Sequence, residues 1–117
     1  MISPLSSALS ALSAYGVKMG VTANNIANVN TDGFKQSRTT FAESDQGGVE
    51  PIIDQDDTPG STRQFVEEGQ IVEVETSNVD LAGALTETIP TKIGYSANLK
   101  TIRTQDEMLG SLLDTIG

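Results

Sequence analysis

"SALSALSAYGVKMGVTANNIANVNTDGFKQSR" spans Ser7 to Arg38 and holds two patterns that decide the fold. With the residues just before it, it carries Ile2, Leu5, Leu9, Leu12, Gly16, Met19, Ala23 and Ile26 in alternating steps of three and four. That is the spacing of a coiled-coil seam. Between the seam positions lie Ser6, Ser7, Ala8, Ser10, Ala11, Ser13 and Ala14, small side chains that let a neighbouring helix approach closely. Ser3 before Pro4 is a good helix start, because a serine hydroxyl caps free amides and proline suits the first turn. The second pattern is a run of asparagines, Asn24, Asn25, Asn28 and Asn30. Their side chains compete with the backbone for hydrogen bonds, so the run erodes a helix and favours caps and turns. The helix is expected to end between Ile26 and Asn30, giving roughly 24 residues and a rod of about 36 Å. Asn30-Thr31-Asp32-Gly33 then reads as a turn, with Gly33 free to take a positive φ.

Beyond this stretch the chain changes character. From Glu43 to Gly69 it is rich in Asp, Glu, Gln, Gly and Thr, has Pro51 and Pro59, and shows no helical period. It reads as a linker or a small β element. "VEPII", residues 49 to 53, is expected to pair with "QIVEVET", residues 70 to 76, across the "DDTPG" turn. A second helix follows "SNVDLAGAL", where Ser77 or Asn78 is suited to cap the first amides and Asp80 lies where negative charge favours a helix N-terminus. Tyr95, Leu99, Ile102, Leu109, Leu113 and Ile116 again step by fours and threes, with Asp106 at the polar site. Pro90 lies inside this helix and removes the bond to the carbonyl of Thr86, so a kink or break is expected near residues 87 to 90. Gly94 weakens the same region. The fold class is mainly α: long N-terminal and C-terminal helices pairing in coiled-coil fashion, with a short β-hairpin or irregular middle. The divisions fall at residues 1–35, 36–76 and 77–117. Spacing alone leaves open whether the two stripes pack on each other within one chain or against other subunits.

Composition narrows the function. With 117 residues, three Phe, two Tyr and no Trp, the chain holds one thin core at most. Its net charge of -9 repels phosphate backbones and anionic membrane surfaces, so nucleic acid is not an expected partner. The absence of cysteine removes disulfides, thiolate metal sites and thiol nucleophiles. No apolar run reaches the roughly 18 residues of a membrane span, and the N-terminus lacks a secretory signal's basic flank and apolar core. No direct membrane insertion is expected.

An active site is equally hard to assemble. Without histidine, neither a Ser-His-Asp arrangement nor histidine-metal chemistry is available, and no glycine-rich phosphate loop matches. Asp54, Asp56 and Asp57 imitate a calcium loop for four residues, but Pro59 replaces the required glycine and Phe65 stands where the closing Glu belongs. The cluster reads as a solvated acidic turn. No cofactor or metal is expected, and the chain is not read as an enzyme. The asparagines, for their part, fit either a frayed end with local caps or a binding role.

The quoted stretch resembles the N-terminal signature of the flagellar rod and hook family, the bacterial axial proteins. "SNVDLAGAL" and "GYSANLKTIRTQDEMLGSLLDTIG" resemble its C-terminal signature, and together the segments cover more than half of the chain. The resemblance implies long terminal helices that pair in an inner domain and pack with neighbours into a hollow tube. It implies a structural subunit of the basal body, exported by the flagellum's own type III apparatus without a cleaved signal peptide. Its partners would be copies of itself, other flagellar axial subunits and that export apparatus. Subunit contacts would fall on Leu5, Leu9, Leu12, Met19 and Ile26, and on the uncharged amides Asn24, Asn25, Asn28 and Asn30, which donate and accept at a helix end. They would also fall on Gly33 and the apolar anchor Phe34, on Ser77, Asn78 and Asp80, and on Tyr95, Asn98, Leu99, Ile102, Leu109 and Leu113. Some features depart from the pattern. Larger hook and distal-rod members carry whole β domains where only a short polar segment stands here, and Pro90 and Gly94 interrupt the second helix. The size suits a small rod subunit, while "GFKQSR" and "TQDEML" resemble hook and distal-rod versions, so the axial layer stays open. A soluble helical adaptor of flagellar export or assembly is the alternative reading.

Overall fold

A computed structural model describes residues 4–117. Helix α1 spans Pro4–Ala27, strands β1 to β4 span Ser37–Glu43, Val49–Gln55, Thr62–Glu67 and Gln70–Glu75, and helix α2 spans Leu81–Ile116. The molecule is extended, with principal extents of 82 × 25 × 19 Å. Ile2 and the expected Ser3 cap lie outside the described residues.

The helices run antiparallel: Lys18 of α1 pairs with Glu87 of α2 at 3.3 Å, and Leu5 shares a groove with Leu99, Ile102 and Leu109. At about 1.5 Å per residue, α2 outruns α1 by roughly 18 Å. The faces that meet draw on the two apolar stripes: Leu5, Leu12 and Met19 of α1 are half-buried, and Met19 shares a second groove with Thr91 and Tyr95 of α2. On α1 the buried residues are Ala8, Ala14, Thr22 and Asn25, and on α2 they are Ala84 and Thr91. On α1 the buried Ala8, Thr22 and Asn25 each stand one residue before a stripe position, about 100° around the helix, with Asn25 facing β1, whereas on α2 Ala84 and Thr91 lie eleven and four residues before Tyr95, on the apolar stripe itself. Leu9 is 50% exposed, and Tyr95, Leu99, Leu109 and Leu113 also face outward. The buried side chains are small, Ala8, Ala14, Ala84 and Thr91 among them, and the leucines of the stripes stay half-buried or exposed along the helix pair.

Helix α2 is continuous through Pro90, so of the kink or break expected there no break occurs. The proline still withholds an amide, but threonine hydroxyls donate to carbonyls on both sides: Thr88 to Leu85 at 2.6 Å and Thr91 to Glu87 at 2.8 Å. These bonds fall on the carbonyls either side of Thr86, the one the missing amide would have served, and packing against α1, where Thr91 is 2% exposed, keeps the turn helical. The α2 cap also differs from expectation. Asp80 accepts from the Gly83 amide at 3.1 Å and is the N-cap, while Ser77 accepts from Val79 and Asn78 reaches away to other segments.

The middle forms two hairpins, and the expected pairing of residues 49–53 with 70–76 does not occur. β1 pairs with β2, Thr39 opposite Ile53, and β3 pairs with β4, Phe65 opposite Val72. Nearest neighbours along the chain pair because short loops cost less closure entropy. The β1–β2 hairpin leans on α1, with the Val49 amide donating to the Ser10 hydroxyl at 3.2 Å. The β3–β4 hairpin touches neither helix. Its tight turn places both Glu68 (φ 52°) and Gly69 (φ 81°) in the left-handed region, as a type I′ turn demands.

Candidate functional site

Two constructions stand out: a neck of side-chain to backbone bonds that ties the helix ends to the hairpins, and the outward faces of the helices.

The neck starts at the asparagine run. Asn25 is buried, and both ends of its amide are satisfied within the chain: Nδ2 donates to the Ser37 carbonyl at 2.7 Å and Oδ1 accepts from the Ser37 amide at 3.0 Å. A planar primary amide matches the N–H and C=O of a single strand residue, which suits it to hold the start of β1 against α1. Asn28 works locally, its Nδ2 donating to the Asn24 carbonyl at 2.9 Å, and Asn24 and Asn30 face solvent. Gly33 takes φ 72°, and its amide donates to the Glu75 carbonyl at 2.9 Å, joining the N-terminal turn to the last strand. Phe34 is half-buried just beyond.

Asn78 is the counterpart of Asn25. Its Nδ2 donates to the carbonyls of Asp56 and Thr58, each at 2.7 Å, and its Oδ1 accepts from the Gln36 amide at 2.7 Å. Glu75 accepts from Lys35 and from the Gly60 amide at 3.0 Å, and these bonds hold its carboxyl below the usual carboxylate value. Gly60 is required there, since a Cβ would stand 2.1 Å from the Thr76 carbonyl oxygen. Asp56 accepts from Thr58, Gln36 and, at 3.5 Å, Arg38, and those bonds, Thr58's first, bring its carboxyl down to about 2. This aspartate closes a loop, and no group of three or more metal-ligating side chains exists among the described residues.

Above the neck, Tyr15 fills the gap between the helices. Its ring meets Phe41 of β1 edge-on at 5.0 Å, Lys18 lies 5.3 Å from the centre of the Phe41 ring, and Lys18 also pairs with Glu87. A Cβ on Gly94 would fall 2.4 Å from the Tyr15 Cζ, so the glycine is the slot that admits the ring.

The sequence-chosen residues therefore divide. Asn25, Gly33, Phe34, Asn78 and Asp80 belong to the neck and the α2 cap, and Ser77 forms a local turn beside them. Asn98 lies half-buried on α2, its Nδ2 bonded to the Gly94 carbonyl at 2.8 Å. Leu5, Leu12, Met19, Ile26 and Ile102 are half-buried, while Leu9, Tyr95, Leu99, Leu109 and Leu113 form exposed apolar surface. Tyr15, Lys18, Lys35 and Glu75 were missed, and Asp56 and Gly94 were read as an acidic turn and a weak point of the helix. A tyrosine in an otherwise small-residue helix and a glycine inside another were the available signals for a knob and its slot.

These arrangements contain no nucleophile, relay or enclosed cavity for chemistry. What they define is a scaffolding element: a helical hairpin with a braced neck and an uncovered apolar side. Comparison with known proteins gives the family. Residues 5–35 match the family described as flagella basal body rod protein, and residues 73–115 match the C-terminal family of the flagellar basal body rod proteins FlgEFG. The chain is 49% identical over 43 residues to the flagellar basal-body rod protein FlgG of Bacillus subtilis (strain 168), covering 37% of this chain and 16% of that protein. It is 33% identical over 81 residues to the flagellar hook protein FlgE of Treponema pallidum (strain Nichols), covering 68% of this chain and 16% of that protein. Against the flagellar hook protein FlgE of Helicobacter mustelae it is 49% identical over 43 residues, 37% of this chain and 10% of that protein. The chain belongs to the flagellar rod and hook family, matching both of its terminal segments in order. The matched regions span less than a fifth of these relatives.

Proposed function

We infer that the chain is a non-enzymatic structural subunit of the flagellar axial structure, polymerising through its terminal helices with copies of itself and other axial subunits. The observation that carries this reading is the apolar surface that the helix pair leaves uncovered. Small and polar residues such as Ala14 and Thr91 are spent within the chain, while Leu9, Leu99, Leu109 and Leu113 stay uncovered. Exposed apolar area of this extent on a long pair of helices gains roughly 25 cal/mol per Å² when a neighbour covers it. The family match supports the same role, and with it a place in the basal body and export by the flagellar apparatus. The neck then has a mechanical task. Asn25, Asn78 and Glu75 fix the hairpins to the helix ends, so a subunit seated by its helices presents its β segment at one angle.

The test is localisation and assembly together. Electron microscopy of basal bodies carrying a tagged chain is expected to place it on the axis. Recovery of the protein solely from the cytoplasm as a monomer would favour an adaptor.

A further inference from the structure

The net charge of the chain is confined to one part of it. Residues 43–75 hold ten of the sixteen carboxylates and one of the seven cations, so they account for the whole -9 and the rest of the chain is neutral. Within that segment the β3–β4 hairpin is bare. It touches neither helix, and on one face Val66 and Ile71 stand opposite each other at 71% and 73% exposure, with Glu73 two residues further along. A lone two-stranded hairpin is marginal in water and needs something to pack on.

The helices offer the matching surface. Among the described residues, Lys92, Lys100 and Arg103, all on α2, form no ion pair, whereas Lys18, Lys35, Arg38 and Arg63 each do. Lys92 and Lys100 rim a shallow groove floored by Met19, Ile89 and Ile93. It is apolar in the middle and cationic at its edges, while the hairpin is apolar in the middle and anionic at its edges. The hairpin of the same chain does not reach it.

We propose that the β3–β4 hairpin of one copy docks in the α1–α2 groove of a second copy. Val66 and Ile71 cover Ile89 and Ile93, and Glu68 and Glu73 meet Lys92 and Lys100. The contact is head-to-tail, because hairpin and groove are different surfaces of each copy, and such a contact propagates along an assembly instead of closing a dimer. Like charges rule out hairpin against hairpin and groove against groove. The proposal rests on the structural-subunit reading and adds a second contact to the helix packing.

Charge exchange tests it. The variant Lys92→Glu/Lys100→Glu and the variant Glu68→Lys/Glu73→Lys each place like charges on both partners. Sedimentation velocity is expected to show self-association of each weakened at least tenfold relative to the parent, while circular dichroism stays unchanged. Mixing the two variants restores association, since each hairpin then faces an opposite groove. About 1 M salt, which shortens the screening length to about 3 Å, weakens the parent contact. The chain has no cysteine, so Ile71→Cys and Ile93→Cys provide a check independent of charge. Oxidation of the mixed single variants is expected to give a disulfide-linked dimer in clear excess over either variant alone. If the parent associates but the exchanges leave it unchanged, or mixing fails to restore association, the hairpin contact is wrong and helix packing stands. A parent that stays monomeric at every concentration overturns the hairpin docking.

Discussion

The ring of Tyr15 on α1 occupies the volume that a side chain at position 94 of α2 would need, with the nearest ring atom 2.4 Å from where a Cβ would sit. Taken alone, a mid-helix glycine costs about 1 kcal/mol relative to alanine. Here it is what allows the two helices and β1 to meet around a single aromatic side chain. Gly94→Ala should therefore destabilise the chain by about 1–3 kcal/mol despite better helix propensity. Urea unfolding followed by circular dichroism measures this. In the background of Tyr15→Ala the same substitution should become neutral or stabilising, and a loss of equal size in both backgrounds would contradict the knob-and-slot packing.

Asn25 and Asn28 are three residues apart and should respond differently. Asn25→Ala leaves the half-buried N–H and C=O of Ser37 without their partners and should cost about 1–3 kcal/mol. Asn28→Ala removes a bond among exposed groups and should be within about 0.5 kcal/mol of the parent. Hydrogen exchange at the Ser37 amide offers a direct readout, fast in the first variant and unchanged in the second.

Asp56 and Glu75 give the neck a dependence on acidity. Both carboxyls are held below their ordinary values in the folded chain, so the unfolded chain takes up their protons first as the pH falls. The stabilisation is complete above the ordinary value of 3.8 for Asp56 and drains away as the pH falls towards about 2. Thermal melts between these limits should show the neck loosening, and Asp56→Asn should flatten the slope. A slope unaffected by that substitution would assign the acid sensitivity to other carboxylates.

The two sides of α1 and α2 differ in what a charge does to them. Ala14 is 0% exposed, so Ala14→Asp buries an unpaired carboxylate and should unfold the helix pair. Leu109→Asp lies on the uncovered side, where it should leave monomer helicity intact while abolishing incorporation into the axial structure. Normal incorporation of Leu109→Asp would remove that face from the assembly interface.

What the sequence determined by itself was local. Two long helices, the end of the first near Ala27, the positive φ of Gly33 and the terminal family signatures were all legible, because periodicity, capping and turn chemistry depend on residues a few positions apart. The tertiary structure decided which way those helices face. Periodicity puts Leu5, Leu12 and Met19 on one stripe of α1 without saying how deeply they sink, and the partner helix, with Tyr15 and Gly94 in register, leaves them half-buried while taking Ala14 and Thr91 out of solvent. It also decided the strand pairing. Ser37–Glu43 was not read as a strand, because its inward positions include the polar Ser37 and Thr39 and its pairing depends on a backbone held by Asn25, twelve residues away. Asn78 likewise bonds to segments around 36, 56 and 58, and Pro90 sits in a turn packed against a neighbouring helix. Bonds that close loops of that length leave no local pattern, since each amide looks the same in sequence whether it caps its own helix or clasps a distant one.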